Sequence, residues 1–190
     1  MRTPPHNDQE SRRNLIYLTG FMASGKSTIG PILANTLGFD FVDIDAEIVR
    51  SSGKRIPDLF AEKGEESFRS MERAILMAAS TRQECVVSLG GGTLASTGNL
   101  ELIKSTGLLI YLKSDPEQIF RRVRFKSDRP LLLSREGTSL NDDELRERID
   151  FILASREPYY RQADITIRTD EHRVGITVDE IVKMLKHRIG

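Results

Sequence analysis

The chain has 190 residues, enough for one substantial core, and its 38% hydrophobic and 29% charged content is that of a soluble globular domain. Lys plus Arg and Asp plus Glu each total 28, so the formal net charge is zero and no molecule-wide field draws nucleic acid or an acidic membrane. Any affinity for anions must come from local sites.

Residues 1–13 are polar with two prolines, read as a flexible tail ahead of a single domain over 14–190, and they lack the apolar centre of a signal peptide. No apolar stretch approaches the roughly 20 residues that span a bilayer. The lone Cys85, inside the run Cys85-Val86-Val87, reads as a buried structural thiol. A cytoplasmic location is expected.

Leu15 to Leu18 is a short apolar run followed by a glycine, the pattern of a buried parallel strand. A helix is predicted over Lys26 to Leu37, with Gly38 at its C-cap. Phe41-Val42 predicts a second strand and Ala46 to Ser51 a brief helix. Glu65 to Ser80 is helical, with Phe68, Met71, Ile75 and Ala79 on one stripe. Cys85 to Leu89 and Leu108 to Leu112 are the third and fourth strands, and Pro116 starts the next helix. Lys126 to Leu140 loses periodicity and reads as a mobile lid. A helix over about Asp142 to Tyr159 precedes a fifth strand, Asp164 to Arg168. Thr177-Val178-Asp179-Glu180 has the spacing of a capping box and is expected to open the last helix. Strands alternating with helices predict an α/β fold of three layers, a parallel sheet with helices on both faces, whose ligands bind beyond the carboxyl ends of the strands.

Gly20-Phe21-Met22-Ala23-Ser24-Gly25-Lys26-Ser27 fits G-x-x-x-x-G-K-[ST], the P-loop, between a predicted strand and a predicted helix. Gly20, Ala23, Ser24 and Gly25 place backbone amides around phosphate, and the helix adds its positive end. Lys26 reaches the β- and γ-phosphates and Ser27 coordinates Mg2+, with Thr28 repeating the hydroxyl. The Asn-Lys-x-Asp and Asp-x-x-Gly motifs of a G-protein are both missing.

Asp43 and Asp45, two apart, face the same way if the chain there is extended, so one can serve Mg2+ and the other an acceptor hydroxyl; alternatively, Asp45 caps the helix from Ala46. Glu72 lies on an apolar stripe and needs a partner, and Arg69 is in reach; the alternative is a surface pair of Glu65 with Arg69. Arg156 shares a helix face with Leu145, Ile149, Ile152 and Leu153, with Pro158 expected to break or kink the helix just beyond. It can clamp a carboxylate or snorkel to water. Gly90-Gly91-Gly92 points to close approach of a ligand. Arg129 sits in the basic lid, where it can act on a transferring phosphoryl group.

The strings GFMASGKST, DID at Asp43 to Asp45, FRSME at Phe68 to Glu72, SLGGG at Ser88 to Gly92, RPLL from Arg129 and REPYYRQAD from Arg156 together resemble the shikimate kinase family over about residues 14–188. The resemblance implies a fold like that of nucleoside monophosphate kinases, with five parallel strands in the order 2-3-1-4-5. It implies phosphorylation of the shikimate 3-hydroxyl by MgATP, a step toward chorismate and the aromatic amino acids. A monomer is expected and, from the balanced charge and the lack of a long apolar stretch, no nucleic acid or membrane partner. By position, Asp45, Arg69, Gly91 and Arg156 contact shikimate, Lys26, Ser27 and Asp43 serve phosphate and Mg2+, and Arg129 acts from the lid. Arg122 and Arg173 are the adenine-side candidates. The family often carries glycine where Ala23 stands. Rival readings are a gluconate or nucleoside monophosphate kinase on the same scaffold, and a catalytically silent nucleotide-binding module.

Overall fold

The computed structural model describes residues 14–124, 140–186 and 188. The tail expected over 1–13 and, apart from Leu140, the lid expected over 126–140 lie outside the described residues, Arg129 among them. Along the chain run β1 (Leu15–Thr19), α1 (Lys26–Leu37), β2 (Asp40–Asp43), α2 (Ile44–Ser52), α3 (Ile56–Ala79), β3 (Cys85–Ser88), α4 (Asn99–Thr106), β4 (Leu108–Lys113), α5 (Pro116–Val123), α6 (Asp142–Tyr160), β5 (Ile165–Arg168) and α7 (Val174–Leu185).

The five strands form one parallel sheet in the order β2-β3-β1-β4-β5. β1 is central and wholly buried, and its side chains alternate between two cores. Leu15 and Tyr17 join Phe68, Leu76, Ile119 and Ile149 on one face. Ile16 and Leu18 join Ile29, Leu33, Val178 and Ile181 from α1 and α7 on the other. The expected three layers follow from this period of two. Cys85 is fully buried, and burial pushes its thiol pKa up. Among the described residues no helix is long and apolar enough to cross a membrane.

Four local expectations need correction. α2 starts at Ile44 and is capped by Asp43, whose carboxylate accepts from the Ala46 amide at 3.0 Å, so Asp45 stands in the first helical turn rather than in an extended chain. α3 begins nine residues before the predicted start: Pro57 occupies its first turn, and Gly64 at φ 75° breaks the run where periodicity fails. Pro158 does not break α6, which continues to Tyr160; proline's φ suits a helix, and so near the end only one intrahelical bond is lost. Thr177 opens no helix. α7 starts at Val174, and the buried Thr177 hydroxyl donates back to the Arg173 carbonyl at 3.4 Å.

The register brings the strand ends level. Ser88 pairs with Leu18 on one side and Asp43 on the other, so the P-loop, the Asp43-Ile44-Asp45 turn and the triple glycine leave adjacent strands at one edge. The strand order reverses about β1, and the crevice at such a reversal is the expected ligand site.

Candidate active site

The phosphate cradle is a sharp return of chain between β1 and α1. Gly20 takes φ 146°, and a methyl group built on it would lie 2.5 Å from the Leu112 carbonyl oxygen and 2.7 Å from Ser24 Oγ. Gly25 at φ 107° stands before α1, whose N-terminus carries no side-chain cap and no acidic residue in its first turn. Such an end has amides to offer an anion. Lys26 Nζ donates to the carbonyls of Gly20 at 2.7 Å and Phe21 at 3.1 Å, which holds the ammonium over the loop. Ser27 and Thr28 are exposed. The buried Ser24 Oγ has no hydrogen-bond partner among the described residues, a polar group in the loop for which phosphate oxygens are suitable partners.

Ala23 adopts φ 60°, a left-handed conformation that costs an L-residue energy. Its carbonyl accepts from Arg122 Nη1 at 2.9 Å, and the same guanidinium binds Ser114 Oγ at 3.2 Å and Asp170 Oδ1 at 2.9 Å. Arg122 thus ties the P-loop to the turn after β5. Arg173 lies exposed at the N-cap of α7.

The second half of the crevice is organised by the three glycines after β3, each facing one predicted site residue. A methyl group on Gly90 would sit 2.9 Å from Asp45 Oδ1. One on Gly91 would lie 2.8 Å from Arg156 Nη1, and one on Gly92 3.0 Å from Arg69 Nη2. All three side chains thus come up close against the backbone of the glycines.

Both alternatives for Arg69 hold together. Its Nη1 donates to Glu72 Oε2 at 2.9 Å, while Nε and Nη2 reach Glu65 Oε1 at 3.3 and 3.2 Å. Glu72 is 1% exposed and Glu65 has 68% of its side chain in water, so the Glu72 pair is the one that fixes the guanidinium. Burial works against the Arg69 charge, but the two carboxylates outweigh it and its pKa is raised. The stripe of α3 centres on Phe68, Glu72, Leu76 and Ala79, which puts the carboxylate inside.

Arg156 is half-buried, one turn before Tyr160. Sequence reasoning missed Tyr160, whose hydroxyl donates to the Gly91 carbonyl at 2.6 Å. Burial pushes this phenol up to about 12, against the pull of Arg156, so it keeps its proton. Its ring packs on Tyr111, whose hydroxyl donates to Glu157 at 2.7 Å. Also missed were Thr93 and Asn99, buried beside the glycines, and Asp170. The signal for Tyr160 was its place one turn from Arg156; Asp170 had none.

No group of three or more His, Cys, Asp or Glu side chains among the described residues could cage a metal. A hydroxyl at Ser27 and a carboxylate at Asp43 are oxygen donors of the kind Mg2+ takes when substrate phosphates complete its shell.

Fold and crevice together define a P-loop kinase, with a nucleotide cradle on one strand end and a face of carboxylate and guanidiniums on the next. The chain belongs to the shikimate kinase family, whose model, described as "Shikimate kinase", matches residues 22–186. It is 50% identical over 178 residues to the shikimate kinase of Chlorobium phaeovibrioides, covering 93% of this chain and 90% of that one. With the shikimate kinase of Chlorobaculum parvum the identity is 48% over 176 residues, covering 93% and 94%. Among solved structures, the shikimate kinase from Acinetobacter baumannii in complex with shikimate superposes with a TM-score of 0.82 at 32% identity, covering 94% of this chain and 96% of that one. That from Bacteroides thetaiotaomicron also gives 0.82 at 32%, covering 91% and 98%.

Proposed function

We propose that this protein transfers the γ-phosphoryl group of ATP to the 3-hydroxyl of shikimate, giving shikimate 3-phosphate and ADP. The observation that carries the reading is the triple glycine, with Asp45, Arg156 and Arg69 each against one glycine. That face offers one carboxylate to a hydroxyl and two guanidiniums to an anion, matching a hydroxylated carboxylic acid.

Arg69 and Arg156 hold the substrate carboxylate, and Gly90, Gly91 and Gly92 let the ring come close. Asp45 orients the acceptor hydroxyl. A carboxylate with a reference pKa of about 3.9 is a weak base toward an alcohol, so it accepts the proton late, as phosphorus–oxygen bond formation acidifies the hydroxyl. Lys26 and the loop amides, including those of Ala23, Ser24 and Gly25, hold the phosphates. Ser27 and Asp43 would hold Mg2+, which when bound would neutralise phosphate charge; Thr28 offers a further hydroxyl to the nucleotide. Arg129 acts on the transferring group, and Arg122 and Arg173 flank the adenine. The working unit is one cytoplasmic chain with a kinase domain over 14–190 and a lid over about 126–140.

ADP release, coupled to an optical signal, should require shikimate and stay near background with gluconate or nucleoside monophosphates. Background release with every acceptor would mean a silent binding module, and preference for another acceptor would replace shikimate.

A further inference from the structure

Thr93 follows the triple glycine directly, is fully buried, and donates from Oγ1 to Glu72 Oε1 at 2.6 Å. The other oxygen of that carboxylate holds Arg69 at 2.9 Å. Glu72 is therefore partnered from both sides, and its plane is set by the threonine as much as by the arginine. Among the described residues, Arg69's remaining hydrogen bonds go to Glu65, which is mostly in water and orders it little, and its guanidinium lies over the Phe68 ring at 5.3 Å, a contact that does not fix where its N–H groups point.

We propose that the Thr93 hydroxyl is a positioning residue for the acid-binding face, acting through Glu72 to aim Arg69. The inference rests on the reading of Arg69 as a ligand of the substrate carboxylate.

Three further observations carry it. A methyl group built on Gly90 would lie 3.0 Å from Glu72 Oε1 and 3.1 Å from Thr93 Oγ1, beside Asp45 Oδ1 at 2.9 Å, so the bond lies against the same glycine that Asp45 faces. The threonine is itself anchored, its carbonyl accepting from the buried Asn99 Nδ2 at 2.8 Å. Asn99 Oδ1 in turn accepts from Arg73 Nη1 at 2.5 Å, and that nitrogen also reaches the Gly98 carbonyl at 2.9 Å. A chain of hydrogen bonds thus runs from the start of α4 to the substrate-facing guanidinium. Without the hydroxyl, a buried carboxylate oxygen loses its donor, and Glu72 gains by turning that oxygen toward Arg69 and drawing the guanidinium back.

The test compares T93V, which keeps shape and removes the hydroxyl, with T93S, which restores it, and with R69A, each assayed for both KM values, kcat and melting temperature. Expected for T93V is a rise of about tenfold in the shikimate KM, with ATP KM and kcat within about twofold of wild type. T93S should bring the shikimate KM back to within about twofold. If T93V does not fold, T93A is read by the same criteria. An unchanged shikimate KM in T93V while R69A raises it overturns the inference and leaves the function standing, as does a T93S protein as impaired as T93V. Parallel loss in both KM values and kcat with a lowered melting point would also overturn it, by making Thr93 a general brace. An unchanged shikimate KM in R69A removes the underlying reading and the inference with it.

Discussion

Lys26 Nζ donates to the carbonyls of Gly20 and Phe21, which holds the ammonium over the P-loop, where the proposed role sets it against the phosphates of the nucleotide. Lys26→Ala should therefore lower kcat by about a thousandfold or more, while Arg156→Ala should mainly raise the shikimate KM. Near-normal turnover in the first variant, or an unmoved shikimate KM in the second, contradicts the assignment. Glu157 gives a test in pH. Burial pushes its pKa up, but hydrogen bonds from Tyr111, Lys113 and Arg161 outweigh that and hold it below the usual carboxylate range. A depressed acid contributes stability that is complete above the unfolded pKa, about 4.3, and is lost as pH falls through the lower folded value. Melting temperature followed from pH 7 downward should fall less steeply in Glu157→Gln than in the native protein; parallel curves would exclude the effect. At this scale the sequence singled out Lys26, Asp45, Arg69 and Arg156 as candidates, because each stands in a local pattern. Thr93 with Glu72, Tyr160 with Gly91 and Arg122 with Asp170 are separated by 21, 69 and 48 residues, and no local pattern joins such pairs.

Among the elements, α3 shows how one backbone angle shapes a site. Gly64 holds φ 75° and ψ 174°, which only glycine adopts freely, and splits the helix so that Phe68, Glu72 and Leu76 can face inward. A methyl group there meets nothing within 4 Å, so Gly64→Ala isolates the backbone effect. It should destabilise by about 1–3 kcal/mol, lowering the melting point by about 2–4 °C per kcal/mol. A melting point within a degree of the native one would remove the strain argument. The helix boundaries that sequence misplaced share a cause. Asp43 rather than Asp45 caps α2, and Arg173 rather than Thr177 precedes α7, because strand ends and packing decide where each chain segment turns. Residue type marks a possible cap; the position of the sheet selects among them.

For the whole molecule, the P-loop, the Asp43-Ile44-Asp45 turn and the triple glycine leave the ends of β1, β2 and β3 side by side, so ligands bound there as proposed would tie separate elements together. A ligand at about 100 times its Kd adds roughly 2.7 kcal/mol to stability, which for a chain of this size raises the melting point by about 5–10 °C. MgATP should do this for the native protein and fail to do so for Lys26→Ala, while shikimate still stabilises that variant; equal ATP shifts in both would place the nucleotide elsewhere. The sequence by itself determined the alternation of strand and helix, the P-loop and the residue types of the face of carboxylate and guanidiniums beside it, because these are written in contiguous motifs and short periods. Which glycine each side chain meets, which oxygen of Glu72 each partner takes and how Arg122 reaches Ala23 were decided only when the sheet set distant segments side by side. Local steric preference acts over a few residues, whereas hydrogen-bond partners across the crevice exist only after the apolar faces have packed and brought the strand ends level.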